Sequence, residues 1–158
     1  MDKGQDRTRR DRGNGPMDEP PPPVGLCHCN AIRQGARQVT QFYDRHLAAV
    51  GLRTSQYSML VGLRRLGPIA INAFADAMAM DRTTMGRALK PLERDGLLAI
   101  GPGPNGRTRA LHLTEAGHRR IAEAEPLWRV AQAGFEARYG AEAACDLRAA
   151  LARVVRRV

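Results

Sequence analysis

The chain has no uninterrupted apolar run of about 20 residues, the length a membrane-spanning helix needs, and no apolar signal-peptide core near its start. A cytoplasmic location and no membrane partner are therefore expected. Cysteine is scarce: Cys27, Cys29 and Cys145 are too few for a disulfide scaffold and are expected to stay as thiols in a reducing compartment. The four histidines are scattered, and there is neither a nucleophile–base constellation nor a phosphate-binding loop, so an enzyme is not expected and no cofactor is called for. No internal repeat is visible. Lysine is nearly absent as well. Of 25 Lys and Arg residues only Lys3 and Lys90 are lysines, so the positive charge is of the kind that makes forked contacts to phosphates and bases.

That charge is large. The 158 residues carry a formal net charge of +9, which fits a polyanionic partner. Residues 1–23 hold five basic and five acidic side chains, so the whole excess lies beyond them. This segment lacks apolar periodicity and ends in Pro20-Pro21-Pro22-Pro23, which predicts a disordered tail finishing in a stiff extended stretch. Residues 24–158 are long enough to bury a core as a single domain.

Residues 71–114 are the most informative. Ile71, Phe74, Ala75 and Met78 fall at i, i+3, i+4, i+7, which predicts a short helix with one buried face. Asp81 suits the N-cap of a second helix, able to accept from the backbone of Thr83 or Thr84. In that helix Met85, Ala88, Leu89 and Leu92 share an apolar face, which leaves Arg82, Thr83, Thr84, Arg87 and Lys90 pointing away. Such a pair is a helix-turn-helix, whose second helix enters the major groove of duplex DNA. Arginine there can fork onto guanine, and threonine offers a hydroxyl and a methyl. Gly86 keeps the face low and would allow close approach. Pro91 predicts a kink or loosened turn between Arg87 and Pro91.

A hairpin follows. Leu97 to Ile100 suits a strand, and Gly101-Pro102-Gly103-Pro104-Asn105-Gly106 is dense in turn residues. Arg107 to Leu113 then alternates, with Leu111 and Leu113 on one face and His112 on the other. Asn105, Arg107 and Arg109 would lie at or near the tip of this wing, within reach of phosphates or a narrow minor groove.

The flanks are helical. Ile32, Ala36, Val39, Tyr43, His46, Leu47 and Val50 step at helical spacing within residues 27–50. A helix capped by Thr54 runs to Leu66 with Tyr57, Leu60, Val61 and Leu63 inward, and Pro68-Ile69-Ala70 can pair with the wing. Thr114 caps a long helix through Tyr139, bent at Pro126, and a last one from Ala141 to Val158 stripes Ala144, Leu147, Leu151, Val154 and Val158. The expected fold is mainly α with a small β-wing. A winged helix-turn-helix lobe at about residues 54–113 joins a dimerisation lobe built from helices at about 27–50 and 114–158. A two-fold homodimer would set two recognition helices on successive major-groove turns, about 34–36 Å apart, over an inverted repeat. Cys145 and Trp128 are expected in the core and in dimer packing respectively.

Taken together, Asp81-Arg82-Thr83-Thr84-Met85, Leu89-Lys90-Pro91-Leu92-Glu93-Arg94-Asp95-Gly96-Leu97, Leu113-Thr114-Glu115-Ala116-Gly117 and Leu52-Arg53-Thr54-Ser55-Gln56-Tyr57, with Arg33 and Tyr43, resemble the MarR family of bacterial transcriptional regulators over about residues 27–157. The resemblance implies a triangular homodimer, often a repressor, with inducers such as phenolic or lipophilic acids bound where the dimer lobe meets the DNA lobe. The family's wing usually reads Asp-x-Arg, whereas Asn105-Gly106-Arg107 stands here, so an ionic pair within the wing is lost.

For the signal, three readings stand side by side. Phe42, His46, Tyr57 and Met59 could line a pocket for an aromatic or lipophilic ligand, with His46 or an arginine taking a carboxylate. Alternatively Cys29, fourteen residues before Tyr43, resembles the peroxide-sensing cysteine and a tyrosine partner of hydroperoxide-responsive MarR proteins, and a helix start near Arg33 suits a reactive thiol. The third is a winged helix used for protein interaction alone. Cys27-His28-Cys29 cannot turn all three side chains to one ion from a helix start, so no metal site is expected.

Overall fold

The computed structural model describes residues 24–103 and 108–157. The expected disordered tail and the wing positions Asn105 and Arg107 lie outside the described residues. The chain divides into residues 1–34 and residues 35–158. In the first, a 3-10 turn at Val24–Leu26 precedes helix α1, His28–Leu47, which continues into the second. The Cys27 sulfur accepts from the Asn30 backbone at 3.4 Å and so caps the opening turn.

The larger unit runs α2 (Thr54–Leu66), α3 (Ile71–Ala77), α4 (Arg82–Arg94), β1 (Leu98–Pro102), β2 (Arg109–Leu113), α5 (Glu115–Tyr139) and α6 (Ala141–Arg157). β1 and β2 are antiparallel, with Leu98 opposite Leu113 and Pro102 opposite Arg109. Ile69 adds a single bridge to Leu111, through bonds of 3.3 and 2.8 Å. The expected pairing of 68–70 with the wing is thus one rung rather than a strand. The architecture is mostly helical with a two-stranded wing, as the hydrophobic periods imply.

Periodicity puts the core where it is found. Leu60 and Leu63 of α2, Phe74 of α3, Met85, Leu89 and Leu92 of α4, Leu111 of β2 and Ile121 of α5 form one buried cluster. Each buried leucine-sized side chain is stabilising by roughly 1.5–3 kcal/mol relative to exposure. Neither proline breaks its helix: α4 stays helical through Pro91 and α5 through Pro126. α2 begins at Thr54 with Arg53 as the cap residue, one position earlier than expected. The reason is tertiary: Asp44 of α1 accepts from the Thr54 backbone at 2.6 Å, so the first orphan amide is satisfied by another helix.

α5 meets the wing base closely. Thr114 Oγ1 donates to the Gly96 carbonyl at 2.7 Å and accepts from the Gly117 backbone at 3.0 Å. A Cβ on Gly117 would overlap the Leu97 carbonyl oxygen and lie 2.6 Å from the Leu113 side chain. α6 packs on α5, and Arg148 pairs with Glu136 across them at 3.6 Å.

One expectation needs correction. Cys145 is exposed on α6, because Ala144, one residue earlier, takes the buried position. Trp128 is half-buried within the chain, its ring 6.2 Å from that of Tyr57, because α2 and α5 are neighbours.

Candidate nucleic-acid interface

α4 separates its two faces as its period requires. Met85, Leu89 and Leu92 are buried, whereas Arg82, Thr83, Thr84, Arg87 and Lys90 are exposed. Asp81 caps the helix: Oδ1 accepts from the Thr84 backbone at 2.9 Å and Oδ2 from the Thr84 hydroxyl at 2.5 Å. Those bonds, the side-chain one foremost, hold the Asp81 carboxyl below its ordinary value. Thr84 therefore has its hydroxyl proton committed to the cap. What it can present outward is its methyl group and oxygen lone pairs.

The turn between α3 and α4 holds Ala79 at φ 51°, a left-handed conformation that alanine rarely adopts. Met80 N donates to the Ala75 carbonyl at 2.9 Å and Met78 N to that of Phe74 at 3.0 Å, so the turn is closed by backbone bonds.

The wing stem is held by two links. Gly103 N donates to the Thr108 carbonyl at 2.6 Å, and His112 Nε2 donates to the Pro102 carbonyl at 2.9 Å. Arg109 is exposed at the start of β2. An open cavity of about 300 Å³ lies between the helix pair and the wing, lined by Ala70, Ile71, Asn72, Arg82, Ile100, Arg109 and Ala110. The fold thus brings Arg82 and Arg109, 27 positions apart in sequence, to one basic hollow. Asn72 joins them. It was not singled out in the sequence, where the only signal was a polar residue beside Ile71 at the start of α3. Among the described residues no ion pair engages Arg82, Arg87, Lys90 or Arg109. Unpaired arginines on one face are the electrostatic footprint of a phosphate-rich partner.

A model described as the MarR family matches residues 52–105. The structure is similar to that of the transcriptional regulator MosR of M. tuberculosis in complex with DNA, with 33% identity, a TM-score of 0.72, and coverage of 82% of this chain and 94% of that one. The chain belongs to the MarR family. As a MarR-family protein it is a transcriptional regulator. YwoH of Bacillus subtilis (strain 168), an HTH-type transcriptional regulator, is 28% identical over 92 residues, which are 58% of this chain and 67% of that protein. CouR from Rhodococcus jostii RHA1 bound to p-coumaroyl-CoA shares the fold at 18% identity and a TM-score of 0.69, covering 85% of this chain and 95% of its own. No helix among the described residues is long and apolar enough to cross a membrane.

The residues expected to sense a signal fall into separate groups in this MarR-family chain. The rings of Phe42 and His46 lie 5.0 Å apart on α1, tilted by 54°, and His46 Nδ1 donates to the Phe42 carbonyl at 2.9 Å. Phe135 lies 6.5 Å from Phe42, and Arg138 sits over the Phe42 ring at 4.9 Å. Tyr57 and Met59 are instead buried members of the core, with Tyr57 against Trp128. Tyr43 is buried and donates its hydroxyl to Gln132 at 2.7 Å, and burial, with Glu136 adding to it, pushes the phenol above its ordinary value. Cys27 and Cys29 are exposed at the start of α1.

Proposed function

We propose that this MarR-family regulator reads duplex DNA sequence-specifically as a homodimer and is released from it by a ligand. The observation that carries the DNA reading is the exposed, unpaired set Arg82, Thr83, Arg87 and Lys90 on one face of α4, with Arg109 of the wing sharing a cavity with Arg82. MosR, described in complex with DNA, supports it at 33% identity. In this reading Arg82 and Arg87 contact base edges, Lys90 and Arg109 contact phosphates, and Asn105 and Arg107 extend the wing. Residues 54–113 form the DNA-reading lobe, and helices within 27–50 and 114–158 the dimerisation lobe.

Dimerisation is supported by apolar side chains that the single chain leaves open. On α6, Leu151, Val154 and Val155 are 39%, 44% and 65% exposed, and on α5 Val130 is 60% exposed. A second copy would cover them, and an isologous contact would pair the two recognition helices over an inverted repeat.

The ligand reading rests on Phe42 and His46, half-buried beneath Arg138. An aromatic acid could stack there and meet cationic side chains. Its effect would be a population shift, lowering DNA affinity by the coupling energy, typically about 1–3 kcal/mol. A second reading, release by oxidation at Cys29, is favoured by that thiol's exposure at the helix start.

The test is anisotropy on duplexes that the protein enriches from a random pool. Arg87→Ala should cost about 1–3 kcal/mol and relax specificity at one position. Lys90→Ala should weaken all sequences alike and reduce the salt slope by about one. Unchanged binding in Arg87→Ala would contradict base reading and leave a protein-interaction module.

A further inference from the structure

Gly86 lies in the interior of α4, where glycine is less favourable than any residue except proline. The fold gives no reason for it. Its φ is not in the left-handed region, and a Cβ placed on it meets no atom within 4 Å. Gly62 differs, since a Cβ there would press on the Phe74 ring at 3.1 Å. Gly35 also has open space but belongs to another helix.

Position matters more than openness. Gly86 comes four residues after Arg82 and four before Lys90, so it shares their face and lies between them, one turn from each. Thr83 and Arg87 flank it, and all four neighbours are exposed. Gly86 itself is partly exposed, so the flank of the basic face between Arg82 and Lys90 carries backbone with no side chain over it. A partner that has passed the ends of these long side chains can come nearer to the helix axis at Gly86 than at a residue that carries a Cβ.

We propose that Gly86 is the seating point of α4 on the floor of the major groove and a specificity-determining residue of the interface. This rests on the DNA reading proposed above. With no side chain at 86, the helix axis lies close enough for Arg82 and Arg87 to reach base edges. A side chain there stands the helix off, and forked arginine contacts, which weaken steeply with distance and angle, are lost first. Phosphate contacts made by long flexible side chains persist, because they need charge rather than register.

The experiment compares wild type, Gly86→Ala, Gly86→Leu and Arg82→Ala. Each is titrated onto a duplex enriched by the wild type from a random pool and onto a scrambled duplex, and each is melted. Both Gly86 variants are expected to melt at or above the wild type. They should bind the enriched duplex at least tenfold more weakly, leucine more so than alanine, and the scrambled duplex within twofold of wild type. Wild-type affinity of Gly86→Leu for the enriched duplex overturns the proposal, while the DNA reading survives if Arg82→Ala has lost affinity. A melting temperature of Gly86→Ala below wild type also overturns it, since the glycine would then serve the fold. If the pool enriches nothing, or Arg82→Ala binds both duplexes as wild type does, the DNA reading itself fails and the proposal with it.

Discussion

Replacing Gly117 by alanine adds one methyl group at the tightest of the glycine contacts among the described residues. That Cβ would overlap the Leu97 carbonyl oxygen and crowd Leu113 at 2.6 Å. The Leu97 carbonyl accepts from Thr114 N at 3.2 Å, and Thr114 Oγ1 ties Gly96 to Gly117 N at 2.7 and 3.0 Å. The obstacle is backbone, so no flexible side chain can yield. Relief requires the start of α5 to move off the wing base. Overpacking of this kind costs about 1–3 kcal/mol, and loss of one cap or turn bond adds about 0.5–1.5 kcal/mol. Better helix propensity returns at most about 1 kcal/mol, at a position one turn into α5. The net expectation is a loss of about 2–3 kcal/mol, a large share of the roughly 5–15 kcal/mol that holds a domain. Urea unfolding followed by circular dichroism at one fixed protomer concentration measures it. With a slope near 1–3 kcal/mol/M, the midpoint should fall by about 0.7–3 M. A midpoint within about 0.2 M of wild type would refute the packing argument.

Ala79→Gly should raise stability by about 0.5–1 kcal/mol, since left-handed backbone is costly for alanine and nearly free for glycine; a lower melting temperature would contradict this. Tyr43→Phe should cost about 1 kcal/mol, because Gln132 loses its donor in a partly buried site; an unchanged urea midpoint would count against that bond. The Asp81 carboxyl is held below its ordinary value in the folded chain, so its capping contribution is complete above the unfolded aspartate value and fades as pH falls through the lower folded one. The stability of Asp81→Asn should therefore approach that of wild type at low pH, and a pH-independent difference would contradict the linkage. Leu151→Glu with Val155→Glu should give a monomer by sedimentation, whereas an unchanged dimer would place the interface elsewhere.

The recognition helix was legible because local rules agree there. Asp81 caps, Met85, Leu89 and Leu92 repeat at helical spacing, and the basic residues fall opposite them. The wing was legible through its glycines, prolines and alternation, and the Ile69 bridge through a short apolar run. What escaped depends on contacts distant in sequence. The α2 cap comes from Asp44, ten residues earlier. Tyr43 meets Gln132 across 89 residues. Asn72 joins Arg82 and Arg109 only because α3, α4 and the wing converge. On α6 the expected stripe is buried only at Ala144 and half-buried at Leu147, and Val158 lies outside the described residues. Cys145 sits one position off it, and Leu151 and Val154 remain partly open because α5 cannot cover the whole face.

The central claim is that the basic face of α4 reads sequence rather than charge alone. Fluorescence anisotropy tests it most directly. The wild-type protein is titrated onto DNA from immediately upstream of its own coding sequence, and onto any duplex enriched from a random pool, against scrambled DNA of equal length across a salt series. Binding about 10³-fold tighter to one of these than to its scramble, persisting as salt rises, is the expected result. Equal binding to every duplex, falling steeply and identically with salt, would mean that the face is an electrostatic footprint only and would contradict the account.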